Sequence, residues 1–158
     1  SPSEPYLNGM TRGQCLDEMI RSSNNPCGEK MMAELGKELK SKLLEYGFSG
    51  TSISGFTTSA ADTNRLLVRI KNSNDLSESS KAKLLDSMLN QKFREGLPAG
   101  FEKSKVFDKV GFRGKQEYHD VGIVELADGR TLMVSIMSDG AGVGKVADLS
   151  RAVAESTN

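Results

Sequence analysis

The chain has 158 residues, 37% of them hydrophobic, which suffices for one ordinary core and not for two domains. Its 21 basic and 21 acidic residues cancel with no basic block or stripe, so the electrostatic footprint of a nucleic-acid binder is missing and no nucleic-acid partner is expected. No apolar run approaches the roughly 20 residues of a membrane helix, and the opening SPSEPYLNG has neither the charged nor the apolar region of a signal peptide. A mature or truncated soluble segment is therefore expected, any export signal lying upstream of Ser1.

After a Pro-containing lead-in, Thr11 is placed to cap a helix whose apolar positions Cys15, Leu16, Met19 and Ile20 recur at three and four residues, ending near Ser22. Pro26 suits the first turn of the next and longest helix, in which Met31, Met32, Leu35, Leu39, Leu43 and Leu44 continue one face until Gly47. The stretch FSGTSISGFT lacks helical spacing and reads as a loop, with Thr57 or Thr58 capping a third helix whose Leu66, Leu67 and Ile70 face inward. Ser77 opens a fourth, carrying Leu84, Leu85, Met88 and Leu89, and Leu97-Pro98-Ala99-Gly100 closes the helical part.

From there the period changes. DVGIVELADGRTLMVSIM holds two strand-like runs around Asp128-Gly129, a signal for a two-residue hairpin turn, and Lys105 to Phe112 supplies a third strand. Three strands need a cover to be stable, and VGKVADLSRAVAE provides one with Val146, Leu149, Ala152 and Val153 on one face. The expected fold is α+β: a helical part over residues 9–96, then a three-stranded antiparallel sheet and closing helix over 97–156, all in one segment.

The two cysteines, Cys15 and Cys27, are too few and wrongly spaced for a zinc site, and only His119 could assist them, so neither a metal nor another cofactor is expected. They could form one disulfide or remain two buried thiols, and the residues alone leave both open. The glycine run GAGVGK lacks the ending of a phosphate loop and reads as a turn before the closing helix. His119 in Tyr118-His119-Asp120 has no serine partner identifiable in the sequence and reads as a structural or surface histidine.

Several strings, in order, resemble class A β-lactamases and the related D,D-peptidases. GMTRGQCLDEMIRSSNN is similar to that family's helix leading into its Ser-x-Asn loop, which falls on Ser23, Asn24 and Asn25. TTSAADTNRLLVRI resembles the helix after the omega-loop region, LPAGFEKSKVFDKVGF the approach to the Lys-Thr-Gly strand, and Lys109-Val110-Gly111 that motif itself. The likeness spans residues 9 to 155 and implies a C-terminal portion of a β-lactamase-like fold, with a groove between a helical lobe and a sheet.

The resemblance implies roles as well. Ser23 would relay protons, Asn25 would contact a substrate amide, Lys109 would attract an anion, Val110 would stand at the substrate-carboxylate position, and Gly111 would let a substrate backbone approach. It also implies an extracytoplasmic, cell-envelope location, which favours a Cys15–Cys27 bridge. Without it, Ser23-Asn24-Asn25 is a capped turn and Lys109 an exposed strand lysine.

Three departures limit the carry-over. No Ser-x-x-Lys nucleophile motif precedes Ser23, and the one such string, Ser80 to Lys83, reads as a solvated helix start. Val110 stands where the family has a hydroxyl, and a hydrogen bond to a charged group contributes about 1.5–3 kcal/mol, so penicillin recognition is weakened by roughly tenfold to more than a hundredfold. FSGTSISGF has no glutamate for deacylation. Two functions follow: a portion of an exported serine hydrolase or transpeptidase acting on peptidoglycan-like peptides, inactive alone, or a non-catalytic binding or scaffolding module. Its expected partners are such a peptide or an upstream segment of the same protein, and apolar surface left open would promote self-association.

Overall fold

A short hairpin opens the fold, β1 (Pro5–Leu7) against β2 (Met10–Thr11), turning through Asn8 and Gly9, both with positive φ (49° and 79°). Asn-Gly is the dipeptide that tolerates this geometry most cheaply. The sequence pattern assigns no element to this lead-in, and Asn8-Gly9 is the one local signal of the turn. Thr11 then caps α1 (Arg12–Arg21) in a capping box with Gln14, as the sequence predicts. This computed structural model describes residues 1–115 and 117–157.

Asn24 caps α2 (Asn25–Glu45), its Oδ1 accepting from the Cys27 N–H at 3.0 Å, with Pro26 in the first turn. Cys15 and Cys27 form a disulfide with Cα atoms 5.4 Å apart, binding α1 to the start of α2. Both are fully buried with Met31, beneath Tyr6, Leu7, Met10 and Met19. The predicted apolar face of α2 is only half used: Met31 is buried but Leu35 and Leu44 are exposed, because α2 packs chiefly on α1 through its first turns.

Ser59, rather than Thr57 or Thr58, caps α3 (Ala60–Asn72), since Thr57 is taken up by a bridge to Ser52 and Thr58 bonds Thr51. Leu67 and Ile70 pack inward as expected, whereas Leu66 is exposed. Ser77 caps α4 (Glu78–Leu89), and a 3-10 turn follows at Leu97–Gly100.

Strands β3 (Lys105–Arg113), β4 (Glu117–Glu125) and β5 (Thr131–Ile136) form an antiparallel sheet in that order. The β4–β5 connection is not the two-residue turn expected. Leu126 N–H donates to the Arg130 carbonyl, leaving three residues between them, with Gly129 at φ 88° in the left-handed position that a three-residue hairpin requires.

The sheet is a middle layer, and strand alternation sorts its side chains. Val106, Val124, Val134 and Ile136 face Val146 of α5 (Gly142–Ser156) and the 3-10 turn. Phe107, Val121, Ile123 and Met133 face α3 and α4 around Leu67 and Met88. The buried stripe of α5 is Val146, Ala147 and Ser150, flanked by Val153 and Ala154; Leu149 and Ala152 point to solvent. The shift has a cause in Gly100. A Cβ there would lie 2.3 Å from the Ser150 carbonyl carbon, and Ser150 Oγ donates to the Leu97 carbonyl at 2.5 Å, so a small polar residue sits where the sequence pattern favoured leucine.

Candidate active site

Ser23 lies in the link between α1 and α2. The last turn of α1 closes on Ser22, whose N–H returns to the Glu18 carbonyl, and the Asn24 N–H returns to the same oxygen at 3.2 Å. To do this Ser23 takes a left-handed conformation, φ 53°, where glycine is the ordinary occupant and a side chain costs about 1–2 kcal/mol. The link is pinned from α4 and the residues just after it: buried Gln91 donates to the Ile20 carbonyl at 2.8 Å, the Lys92 N–H to the Arg21 carbonyl at 2.9 Å, and Ser87 of α4 to Asp17 at 2.6 Å.

This anchoring brings the link against β3. Lys109 Nζ donates to Ser23 Oγ and to the Val110 carbonyl, so the two residues expected to edge one groove are in direct contact across 86 positions of sequence. The outer edge of β3 has no strand partner among the described residues. Asn24 is occupied as the helix cap, in keeping with the capped-turn reading, while Asn25 is exposed at the first helical position. Val110 is 3% exposed with its side chain on the α5 side, so what it offers at the edge is main chain. A Cβ on Gly111 would meet only His119 Cδ2, at 3.8 Å; the fold does not demand glycine there, and the missing side chain leaves open space.

Lys109 takes part in no ion pair among the described residues, unlike Lys71, Lys92 and Lys145. Burial lowers its ammonium to about 8, against the opposing pull of the Asp120 and Asp108 carboxylates. Those two acids, both fully buried, sit on the other face of the sheet. Asp108 accepts from Arg94 at 2.5 Å and Asp120 from the Leu97 N–H at 2.7 Å, while Asp108 Oδ2, Asp120 Oδ1 and the Tyr118 hydroxyl have no hydrogen-bond partner among the described residues. Burial raises both carboxyls, and the charge of Asp120 raises Asp108 further.

The sequence reading did not assign these acids a place, although a signal was present: period-2 alternation puts Asp108 between inward Val106 and Val110. Gly96 is shaped by the same cluster, since a Cβ there would lie 2.4 Å from Asp120 Oδ2. His119 accepts from the Ser138 N–H at Nδ1, 3.1 Å, as a structural histidine does. Ser80 sits exposed in the first turn of α4, its N–H and hydroxyl bonded to the capping Ser77. Two open clefts lie at the other end of the sheet, around Glu102, Ser104 and Leu126, and bring no nucleophile to a base among the described residues. Among the described residues, a serine hydroxyl and a lysine amine are hydrogen-bonded only where Ser23 meets Lys109.

A family model described as "Beta-lactamase enzyme family" matches residues 3–156. No curated protein matches the chain in sequence. Among solved structures, that of PBP-A superposes with a TM-score of 0.88 at 24% identity, covering 98% of this chain and 64% of that one. A putative class A beta-lactamase, PenP from Rhodopseudomonas palustris, gives 0.83 at 22% identity, covering 95% and 67%. A W229D/F290W variant of the last common ancestor of Gram-negative class A beta-lactamases gives 0.83 at 20% identity, covering 96% and 66%. The chain thus spans about two thirds of the length of these structures and carries part of their fold.

Proposed function

Because the chain belongs to the beta-lactamase enzyme family, we propose that it is the C-terminal portion of an exported serine enzyme acting on cell-wall peptides, and that it supplies one wall of the groove. The observation that carries this reading is the Ser23–Lys109 hydrogen bond beside the free edge of β3. An unpaired strand edge offers alternating N–H and C=O groups to an extended peptide. The Lys109 ammonium, without an ion-pair partner among the described residues, supplies the positive charge for a terminal carboxylate, and Asn25, exposed two residues after Ser23, is available to a peptide amide. The buried disulfide agrees with an oxidising, extracytoplasmic setting. Without a Ser-x-x-Lys serine these residues bind and orient but do not turn substrate over.

Titration of the chain with a peptide ending in a free carboxylate, followed by amide NMR, tests the reading. Shifts confined to Ser23–Asn25 and Lys109–Phe112, abolished in Lys109→Ala, are expected, together with no nitrocefin hydrolysis. Turnover of nitrocefin by these 158 residues would overturn it. The second reading, a non-catalytic module, is favoured by Val110, whose buried side chain offers no hydroxyl to a carboxylate; absence of the peptide shifts in a folded chain would decide for it.

A further inference from the structure

We propose that Ser23 is itself a nucleophile, with Lys109 as its base, toward small activated phosphonyl and sulfonyl electrophiles. Four observations converge on this. First, the left-handed conformation of Ser23 would be cheaper for glycine, and strain of this kind persists where the surroundings hold the residue in place. Second, its hydroxyl does no capping work: Ser22 closes α1 and Asn24 caps α2, which leaves Ser23 Oγ to Lys109.

Third, the partners of Lys109 Nζ suit a neutral amine. Such an amine has two N–H donors and one lone pair; the Val110 carbonyl can only accept, at 2.5 Å, while the Ser23 hydroxyl is able to donate. Burial favours partial neutrality against the charged groups around it. On the sheet's far face Asp108 of β3, bound by Arg94, and Asp120 of β4 oppose deprotonation, but burial raises both carboxyls toward their neutral form. On the near side, Glu18 of α1 is engaged with Ser22 and Lys92, and His119 of β4 with Ser138. Burial of the amine lowers it to about 8, so on the order of a tenth is neutral at pH 7. Fourth, Ser23 stands just before the N-terminus of the 21-residue α2, whose positive end and exposed Asn25 favour negative charge developing beside Oγ.

In the step itself the Lys109 lone pair takes the Ser23 hydroxyl proton as Oγ bonds to phosphorus. The phosphorus–fluorine bond breaks, fluoride leaves with its electron pair, and the ammonium's proton balances it, so one HF is released for each serine ester formed. This chemistry stops at one adduct. It does not rest on the cell-wall reading: a chain that ignores peptides can still be labelled, and one that binds them can fail to label.

The test is incubation of the native 158-residue chain with a small fluorophosphonate, followed by intact mass and peptide mapping. One phosphonyl group per chain on Ser23 is expected, with a rate that rises through about pH 8 and levels above it. Ser23→Ala should take up none, and Lys109→Arg, which keeps the charge but does not release its proton, should label more slowly by about a hundredfold or more. Circular dichroism checks that both variants fold; should Lys109→Arg not fold, the pH profile of the unmodified chain decides alone. No adduct at pH 9, labelling scattered over other residues, a rate flat from pH 6 to 9, or an undiminished rate in folded Lys109→Arg would each overturn the proposal.

Discussion

Replacing Lys109 with methionine should make the protein more stable while removing its chemistry. The lysine's ammonium is lowered from 10.5 to about 8 by burial, and at 1.36 kcal/mol per unit this puts its charged form at a disadvantage of about 3 kcal/mol in the folded state. Methionine fills similar volume without that charge. It forfeits two hydrogen bonds, to Ser23 and to the Val110 carbonyl, each contributing about 1 kcal/mol net. The difference leaves Lys109→Met more stable by about 1–2 kcal/mol at pH 7. The sign with pH follows from a folded-state value below the unfolded one: between about 8 and 10.5 the unfolded chain binds more protons, so the unmodified protein gains stability as pH rises through that window. The advantage of Lys109→Met should therefore be full below pH 8 and gone, or reversed, by pH 10.5. Urea unfolding at pH 7 and pH 10 reads both quantities from midpoints at unchanged slope. A variant less stable than the parent at pH 7, or a difference that ignores pH, would refute the claim that a buried, unpaired ammonium faces Ser23.

Reducing the Cys15–Cys27 bridge, which closes a loop with a sequence separation of 12 residues, should cost about 3 kcal/mol in urea unfolding with and without reductant; two free thiols in unreduced, denatured protein would reject the bridge. Gly100→Ala should lower the thermal midpoint by an amount equivalent to about 1–3 kcal/mol, because its Cβ would meet Ser150 main-chain atoms that cannot swing away. Asp120 titrates near 7 when folded and near 3.8 when unfolded, so the folded state holds the extra proton in that window and stability falls as pH rises through it. Asp120→Asn should flatten that fall in thermal melts between pH 5 and 8, and an unchanged slope would count against it.

Periodicity and punctuation made most of the fold legible. Thr11, Pro26, Ser77 and Leu97-Pro98 mark element ends that the structure keeps, because capping and proline geometry act within a few residues and need no tertiary context. Which apolar residues face inward was less legible. Leu35, Leu44, Leu66 and Leu149 fit their helical stripes yet lie exposed, since a stripe says which face is apolar and not how far a neighbour reaches along it. The α5 error is instructive: Ser150 outranks Leu149 for burial because Gly100 brings two backbones together, a contact between residues 50 apart that no local pattern encodes. Ser23 and Lys109 were singled out through resemblance rather than periodicity, and it is Gln91 and Ser87, unremarkable in the sequence, that tie α4 to α1 and so set the link beside β3.

The same distinction bears on what the charges are for. A buried ion pair or acid cluster contributes little to stability that apolar residues could not supply, so three ionisable groups around one strand need another explanation. Asp108 and Asp120 lie behind β3 and Lys109 in front, with Arg94 hydrogen-bonded to Asp108 and not to Asp120. Protonation of either acid weakens the field that keeps the lysine charged; ionisation of both strengthens it. The charge of Lys109 therefore responds to groups on the far side of the sheet, while its amine touches Ser23 in front. An edge strand built this way can present either an ammonium to an anion or an amine to a hydroxyl within a narrow range of pH, which a purely apolar strand of equal stability could not do.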